Sequence, residues 1–203
     1  MRKILILMHM TLDGVAEIPD YGSVPGSSPE EPDDPMWDSR MDSIDTLLLG
    51  RRTYEMWAGF WPGKKSDSSA SAWMKKFSRF ADEAEKVVFS KTLTSADWPR
   101  SRIVRGDIAQ EVARLKAQPG KDMAVGGPRL AQSFLAANLA DELLLEVFPS
   151  IVGRGKPLFR VVGDPGHDED LIPLGAPGRH DFHLVESRAL RDGVLFVHYR
   201  RSK

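Results

Sequence analysis

Short apolar runs alternate along the chain with longer segments in which apolar residues recur at helical spacing. The short runs are bounded by polar or glycine-containing turns, which is typical of strands buried within a sheet. The predicted strands are Ile4–His9, Thr46–Leu49, Lys86–Ser90, Arg102–Val104, Asp122–Val125, Glu142–Phe148, His183–Ala189 and Val194–Tyr199. The helical spacing predicts helices over Pro35–Ile44, Arg52–Ala58, Ala72–Asp82, Ile108–Ala117 and Pro128–Ala137.

The order of these elements predicts the fold class. Strands that alternate with helices favour a mostly parallel sheet covered by helices on both faces, a three-layer α/β/α arrangement. The turn Arg191-Asp192-Gly193 joins the last two strands, which predicts an antiparallel hairpin at one edge and hence a mixed sheet. Residues 1–203 contain no linker or repeat, so we expect a single domain. Pro19–Pro35 is rich in Pro, Gly, Ser and acidic residues and predicts a long irregular loop, and such loops in compact domains are usually functional or mobile.

Composition narrows the class of protein further. The 203 residues carry a formal net charge of −1, which argues against a broad basic surface for nucleic acid. The chain has no cysteine, so disulfides, thiolate metal sites and cysteine nucleophiles are excluded, and we predict no metal site. No apolar run approaches the length of a membrane span. We therefore expect a cytoplasmic protein that does not bind membranes.

Two turns carry the strongest chemical signal, because each leads from an apolar strand through glycine directly into a helix. The first is Gly50 followed by Arg51, Arg52 and Thr53, and the second begins at the pair Gly126-Gly127. Backbone N–H groups at a helix start can bind a phosphate, and an arginine can clamp it with two hydrogen bonds. The alternative is a pair of structural turns, with the arginines merely solvated.

A third polar turn follows a predicted strand at Phe89-Ser90-Lys91-Thr92. Ligands in open α/β sheets bind at the carboxyl ends of the strands, where Ser90 and Lys91 could contact a ribose or its phosphate. An ordinary polar turn is the alternative.

Five motifs together resemble the dihydrofolate reductase-like superfamily, and within it the reductase domain of bifunctional riboflavin-biosynthesis proteins. The resemblance spans almost the whole chain. In order, the motifs are Thr11-Leu12-Asp13-Gly14, Leu49-Gly50-Arg51-Arg52-Thr53-Tyr54-Glu55, Val88-Phe89-Ser90-Lys91, Val125-Gly126-Gly127-Pro128, and Phe148-Pro149 with Gly153-Arg154-Gly155-Lys156-Pro157-Leu158-Phe159. Each motif is weak alone, but their order is specific for the fold. Thr11 stands where the family usually has Ser, and it keeps the hydroxyl.

The resemblance implies NADPH as cofactor. It places the first turn at the cofactor phosphates, Ser90 and Lys91 near the 2′-phosphate, the paired glycines at the pyrophosphate, and Thr11 to Gly14 beside the nicotinamide. The implied cofactor residues are Thr11, Asp13, Gly14, Gly50, Arg51, Arg52, Thr53, Ser90, Lys91, Gly126, Gly127, Pro128, Arg129 and Leu130.

Candidate residues for contact with the substrate lie at the start of the helix that precedes the first turn and within it. In dihydrofolate reductases an acidic residue at this helix start serves the pterin ring, and an ungapped count from Gly50 brings Asp34 to that position. Helix capping is the alternative role for Asp34, and Glu17 and Asp38 are rival proton donors. Trp37 and Trp57 are assigned to the substrate pocket.

These observations lead to one expected function and two alternatives. We expect an NADPH-dependent reductase that transfers hydride to a small heterocycle, either a pterin or a ribosylaminopyrimidine as in riboflavin biosynthesis. One alternative is a reductase of an unrelated carbonyl or imine, and the other is a catalytically silent NADP-binding sensor or scaffold. The riboflavin-type relatives imply a homodimer, with the apolar strand Leu143–Phe148 at its interface.

Overall fold

Six parallel strands form the centre of the fold in this computed structural model, which describes residues 1–18, 25, 35–38, 40–159 and 180–202. The eight-stranded sheet has the order β5-β4-β3-β6-β1-β7-β10-β9, and a separate small sheet pairs β2 with β8. The hairpin of β9 and β10 runs antiparallel and is attached to β7, as predicted. The strands are β1 (Ile4–Thr11), β2 (Val15–Glu17), β3 (Ile44–Gly50), β4 (Glu85–Phe89), β5 (Ser101–Val104), β6 (Asp122–Gly126), β7 (Glu142–Phe148), β8 (Lys156–Pro157), β9 (Phe182–Ala189) and β10 (Leu195–Arg201).

Helices cover both faces of the large sheet, so the predicted three-layer α/β fold is confirmed. The helices are α1 (Pro35–Asp38), α2 (Arg51–Lys64), α3 (Ala72–Glu83), α4 (Ile108–Lys116) and α5 (Pro128–Ala136). Successive side chains of β1 point to opposite faces: Ile4 and Ile6 pack with α4 and α5, whereas Leu5 and Leu7 pack with α1, α2 and α3. Within the described ranges, no helix has both the length and the apolar character needed to cross a bilayer.

The predicted helix Pro35–Ile44 is wrong beyond its first turn. The α-helix ends at Asp38, Met41–Ser43 form a 3-10 turn, and β3 already begins at Ile44. Ile44 pairs with Asp122 of β6, and the hydrogen bonds of the sheet take the place of a helical continuation. The spacing of apolar residues does not reveal this competition, because Met41 and Ile44 are buried in either conformation.

Helix α2 is longer than the predicted Arg52–Ala58 and includes Pro62, which lies beyond the predicted end. Pro62 lies in the last turns of the helix. Because proline has no backbone N–H, the helix loses one hydrogen bond at this position. The extension packs on α3, since the rings of Trp61 and Phe77 have centroids 4.5 Å apart. Tertiary packing therefore outweighs the cost of proline at this position.

The homodimer interface expected at Leu143–Phe148 is also wrong. These residues form β7, which is hydrogen-bonded to β1 on one side and to β10 on the other. Among the residues that the structure describes, the edges of the sheet are β5 and β9, and the apolar side chains of Leu184 and Val185 are exposed on β9. The homodimer itself stays a prediction.

Candidate functional site

A cavity of about 710 Å³ opens where the carboxyl ends of β3, β4, β5 and β6 meet the amino ends of α2 and α5. The cavity gathers predicted cofactor residues from three separate turns of the chain. Eleven of the fourteen line it: Gly50, Arg51, Arg52, Thr53, Ser90, Lys91, Gly126, Gly127, Pro128, Arg129 and Leu130.

Two of the helices that start at the cavity, α2 and α5, lack a side-chain cap. Gly50 precedes α2 and Gly127 precedes α5, and neither glycine has a side-chain oxygen to accept a hydrogen bond from the N–H groups of the first helical turn. By contrast, Ser71 caps α3 and Asp107 caps α4 through their side chains. The uncapped N–H groups and the positive end of each helix dipole favour an anionic ligand.

Gly127 allows these two helix starts to lie side by side. Its φ of +91° is in the region that only glycine adopts without strain. A Cβ atom built on Gly127 would lie 2.2 Å from Oγ1 of Thr53 in the first turn of α2. The absence of a side chain therefore lets α2 and α5 begin at the same wall of the cavity.

The cavity lining is strongly basic although the chain as a whole has a net charge of −1. Its positively charged members are Arg51, Arg52, Lys91, Arg105 and Arg129. Among the described residues of the lining, only Glu17 is acidic, and its carboxylate lies 3.0 Å from Nζ of Lys156. Arg51, Arg52 and Lys91 pair with no carboxylate among the residues that the structure describes. A bound anion would supply the missing negative charge.

Phe89 and Thr92, which flank the predicted Ser90 and Lys91, also line the cavity. The sequence patterns do not predict the further lining residues Val104, Arg105, Gly106, Ile108, Gln132 and Ser133. One signal is available, because in Val104-Arg105-Gly106 a cation and a glycine directly follow a strand end. Ile108, Gln132 and Ser133 reach the cavity through the packing of α4 and α5, which no local pattern predicts.

Thr11, Asp13 and Gly14 do not line this cavity; they tie the end of β1 to the segment after β7. Oγ1 of Thr11 donates to the Asp13 carboxylate at 2.5 Å, and the same carboxylate accepts from the N–H of Gly153 at 2.8 Å. These two hydrogen bonds, that of Thr11 first, lower the pKa of Asp13. The carbonyl of Gly14 accepts from the N–H of Leu158 at 2.8 Å. Their predicted contact with the nicotinamide stays a prediction.

The two tryptophans assigned to the substrate pocket belong to an aromatic cluster formed by α1, α2 and α3, and neither is part of the cavity lining. The ring centroids of Trp37 and Trp57 are 6.1 Å apart, and both rings also pack on Phe77 of α3. Their assignment to a substrate pocket stays a prediction. This cluster lies on the face of the sheet that α1, α2 and α3 cover.

Of the three candidate proton donors, two lie among the described residues. Asp34 lies outside the described residues. Asp38 forms an ion pair with Lys76 at 2.8 Å near the surface, whereas Glu17 lines the cavity beside Lys156. In the described part of the chain, acidic and histidine side chains form no group of three or more that could hold a metal ion.

Comparison with known proteins decides the family. The model of the RibD C-terminal domain matches residues 2–196. The chain belongs to this family. Membership supports a reductase-type function. Among curated relatives, the uncharacterized protein YyaP of Bacillus subtilis is 30% identical over 206 residues, a match that covers 98% of this chain and 94% of YyaP.

Solved structures of similar proteins show the same fold. A putative riboflavin biosynthesis protein from Shewanella sp. PV-4 matches with a TM-score of 0.71 at 22% identity, and the match covers 99% of both chains. A dihydrofolate reductase from Enterococcus faecalis, solved in complex with NADP(H), matches with a TM-score of 0.54 at 12% identity, over 99% of this chain and 97% of that one. The RibD C-terminal domain of this chain therefore has the dihydrofolate reductase-like fold.

Proposed function

We propose that this RibD C-terminal domain is an NADPH-dependent reductase that transfers hydride to a small heterocyclic substrate, a pterin or a ribosylaminopyrimidine. The observation that carries the proposal is the cavity in which two uncapped helix starts meet five cationic side chains. NADPH presents a pyrophosphate and a separate 2′-phosphate, and such a ligand needs several anion-binding groups spread over one cavity. The dihydrofolate reductase-like neighbour that was solved with NADP(H) supports the same choice.

The residues present fit the cofactor chemically. The N–H groups at the start of α5, with Gly126 and Gly127 beside them, would hold the pyrophosphate, and Arg51 and Arg52 would neutralise it. Lys91 and the hydroxyl of Ser90 would contact the 2′-phosphate. The bound cofactor supplies the hydride, while the protein orients it and excludes water.

Titration of the purified protein with NADPH and NADH tests this assignment. We expect NADPH to bind at least about tenfold more tightly, equivalent to roughly 1.4 kcal/mol. Equal affinities would remove the basis for the 2′-phosphate site. NADPH oxidation is then screened with dihydrofolate, ribosylaminopyrimidines and simple carbonyl compounds. Tight cofactor binding without turnover in any of these reactions would favour the silent NADP-binding protein.

Asp34 is the proposed proton donor for the reduced heterocycle. The Asp34→Asn substitution should leave NADPH affinity intact and lower turnover by roughly 10²–10⁴, the usual loss when a general acid is removed. Asparagine is nearly as good a helix cap as aspartate, so a capping role predicts unchanged turnover. A kinetic comparison of the two proteins with the substrate found in the screen decides between these roles.

The proposed homodimer is assigned to the edge strand β9. Leu184 and Val185 expose more than two-fifths of their surface there, and an unpaired edge can extend its sheet into a second copy. Light scattering of the native chain and of Leu184→Lys tests this. A dimer that the lysine converts to a monomer is expected, whereas a monomeric native chain would exclude the homodimer.

A further inference from the structure

The turn after β4 has a fixed shape because side chains satisfy its backbone groups. Oγ of Ser90 accepts hydrogen bonds from the N–H groups of Thr92 at 3.2 Å and Leu93 at 2.9 Å. The N–H of Ser90 donates to the carbonyl of Val104 at 3.1 Å, which joins the turn to the end of β5. The turn that carries Ser90 and Lys91 is thus tied to its neighbour strand.

Arg105, the first residue after β5, completes this arrangement from the other side. Its Nη1 donates to the carbonyl of Lys91 at 2.9 Å, and its Nη2 donates to the carbonyl of Leu93 at 2.6 Å. The planar guanidinium spans two carbonyls of one turn, a geometry that a lysine ammonium cannot reproduce. Arg105 also lines the cavity.

The place of this turn in the sheet indicates which part of NADPH it would meet. The helix starts that suit the pyrophosphate follow β3 and β6, whereas the turn follows β4, two strands away from β6. Adjacent strands are spaced by about 4.8 Å, so the turn lies roughly 10 Å across the sheet from the end of β6. That direction leads away from β1, after which the family resemblance places the nicotinamide, so the turn would meet the adenosine end of the cofactor.

We propose that Arg105 is a positioning residue for cofactor selection: by bridging the carbonyls of Lys91 and Leu93 it holds Ser90 and Lys91 where they contact the 2′-phosphate of NADPH. The proposal rests on the proposed function. In this proposal, the preference for NADPH over NADH depends on the two hydrogen bonds by which Arg105 holds the turn, and not on the charge of Arg105 alone.

Three variants separate these causes. Arg105→Lys keeps the charge and loses the bidentate geometry, Arg105→Gln loses both, and Arg79→Gln is a control on the exposed surface of α3. In titrations with NADPH and NADH, we expect both Arg105 variants to bind NADPH at least tenfold more weakly than the native chain. NADH affinity should change less than twofold, because NADH has no 2′-phosphate.

The outcomes that overturn the proposal are distinct. If Arg105→Lys binds NADPH like the native chain and Arg105→Gln does not, Arg105 acts only through its charge. If NADPH and NADH affinities fall equally, its role is merely structural. A native chain that binds neither nucleotide contradicts the proposed function itself, and the positioning role falls with it.

Hydrogen exchange on the ligand-free protein gives a readout that does not depend on the cofactor. The N–H groups of Thr92 and Leu93 should exchange at least tenfold faster in both Arg105 variants and at the native rate in Arg79→Gln. Unchanged exchange in the Arg105 variants would show that Arg105 does not hold the turn and would overturn the proposal.

Discussion

At the amino ends of β1 and β7, cations and carboxylates are paired, whereas the cations after β3 and β4 have no carboxylate beside them in the described part of the chain. At the amino ends, Glu142 is almost fully buried and accepts hydrogen bonds from Lys3 at 2.9 Å, His198 at 2.9 Å and Arg200 at 3.0 Å. At the carboxyl ends, the cations line an open cavity. Paired charges contribute to the stability of the fold, while uncompensated charges of one sign create a binding site for an anion.

The pKa of Glu142 shows how strong the pairing is. Burial raises this pKa, but the hydrogen bonds from Lys3, Arg200 and His198 outweigh burial and hold it at about 2. Burial also lowers the pKa of His198, which lies 2.9 Å from the Glu142 carboxylate through Nε2. The cluster therefore gathers one buried carboxylate, two cations and a histidine whose charged form burial disfavours.

The largest expected effect is on the paired side. Glu142→Gln should lower the free energy of unfolding by about 3 kcal/mol, because it removes the charge shared by buried and half-buried partners. Urea unfolding at pH 7 measures the loss. The control is Glu186→Gln, since Glu186 is half-exposed on β9 and its removal should cost under ~0.5 kcal/mol. NADPH affinity should remain native in both variants.

The same residue predicts an acid dependence. The folded-state pKa of Glu142, about 2, lies below its ordinary value of 4.5, so its contribution is complete above about pH 5 and is lost as the pH falls toward 2. Other carboxylates with lowered pKa values, such as Asp45, also weaken the native chain in acid. The difference in stability between native and Glu142→Gln proteins should therefore shrink toward zero at low pH. A constant difference would contradict the assignment.

The next largest effect is on the cavity side. Gly127→Val should weaken NADPH binding by at least about 10²-fold, or roughly 2.7 kcal/mol, because its Cβ meets Thr53 and displaces the start of α2. Calorimetry measures binding, and circular dichroism shows whether the variant is folded. Gly59→Val is the control, since a Cβ built on Gly59 has no atom within 4 Å. A folded Gly127→Val protein that binds NADPH normally would contradict the site.

The sequence predicts the cavity side of this comparison better than the paired side. Gly50 with Arg51, and the pair Gly126-Gly127, are local signals, because strand, glycine and helix follow one another directly. The pairing of Glu142 with His198 depends on the register of β7 against β10. The two residues are 56 positions apart, so no local sequence pattern predicts that they meet.

The sequence also does not predict β2 and β8, because these strands depend on contacts between distant parts of the chain. Strands β2 and β8 are only three and two residues long, and they exist because Val15 meets Pro157 across a long stretch of chain. Arg105 enters the cavity because β5 lies beside β4, an order that the sequence does not specify. Local patterns thus predict where single elements begin and end, and non-local pairing decides which residues meet.

A smaller effect on NADPH affinity is expected for the cations of the cavity that have no carboxylate beside them among the described residues. The Arg51→Gln and Arg52→Gln substitutions, made together, should weaken NADPH binding by roughly tenfold, or about 1.4 kcal/mol. Stability should stay constant or rise by ~0.3–1 kcal/mol, because both arginines oppose the positive end of the α2 dipole. Urea unfolding and nucleotide titration are compared in one buffer, with Arg79→Gln as control. A loss of stability would mean that these arginines support the fold after all.

The smallest effect tests whether pairing alone makes a charge important. Lys3 pairs with the same buried carboxylate as His198, yet its side chain is 47% exposed. Water screens an exposed cation, so Lys3→Met should lower the free energy of unfolding by less than ~1 kcal/mol, well below the effect of Glu142→Gln. Combining the two substitutions should cost little more than Glu142→Gln alone, because Lys3 then has no carboxylate to lose. Costs that simply add would show that Lys3 acts independently of Glu142. In that case the stabilising contacts of Glu142 are those with His198 and Arg200, and not the ion pair with Lys3.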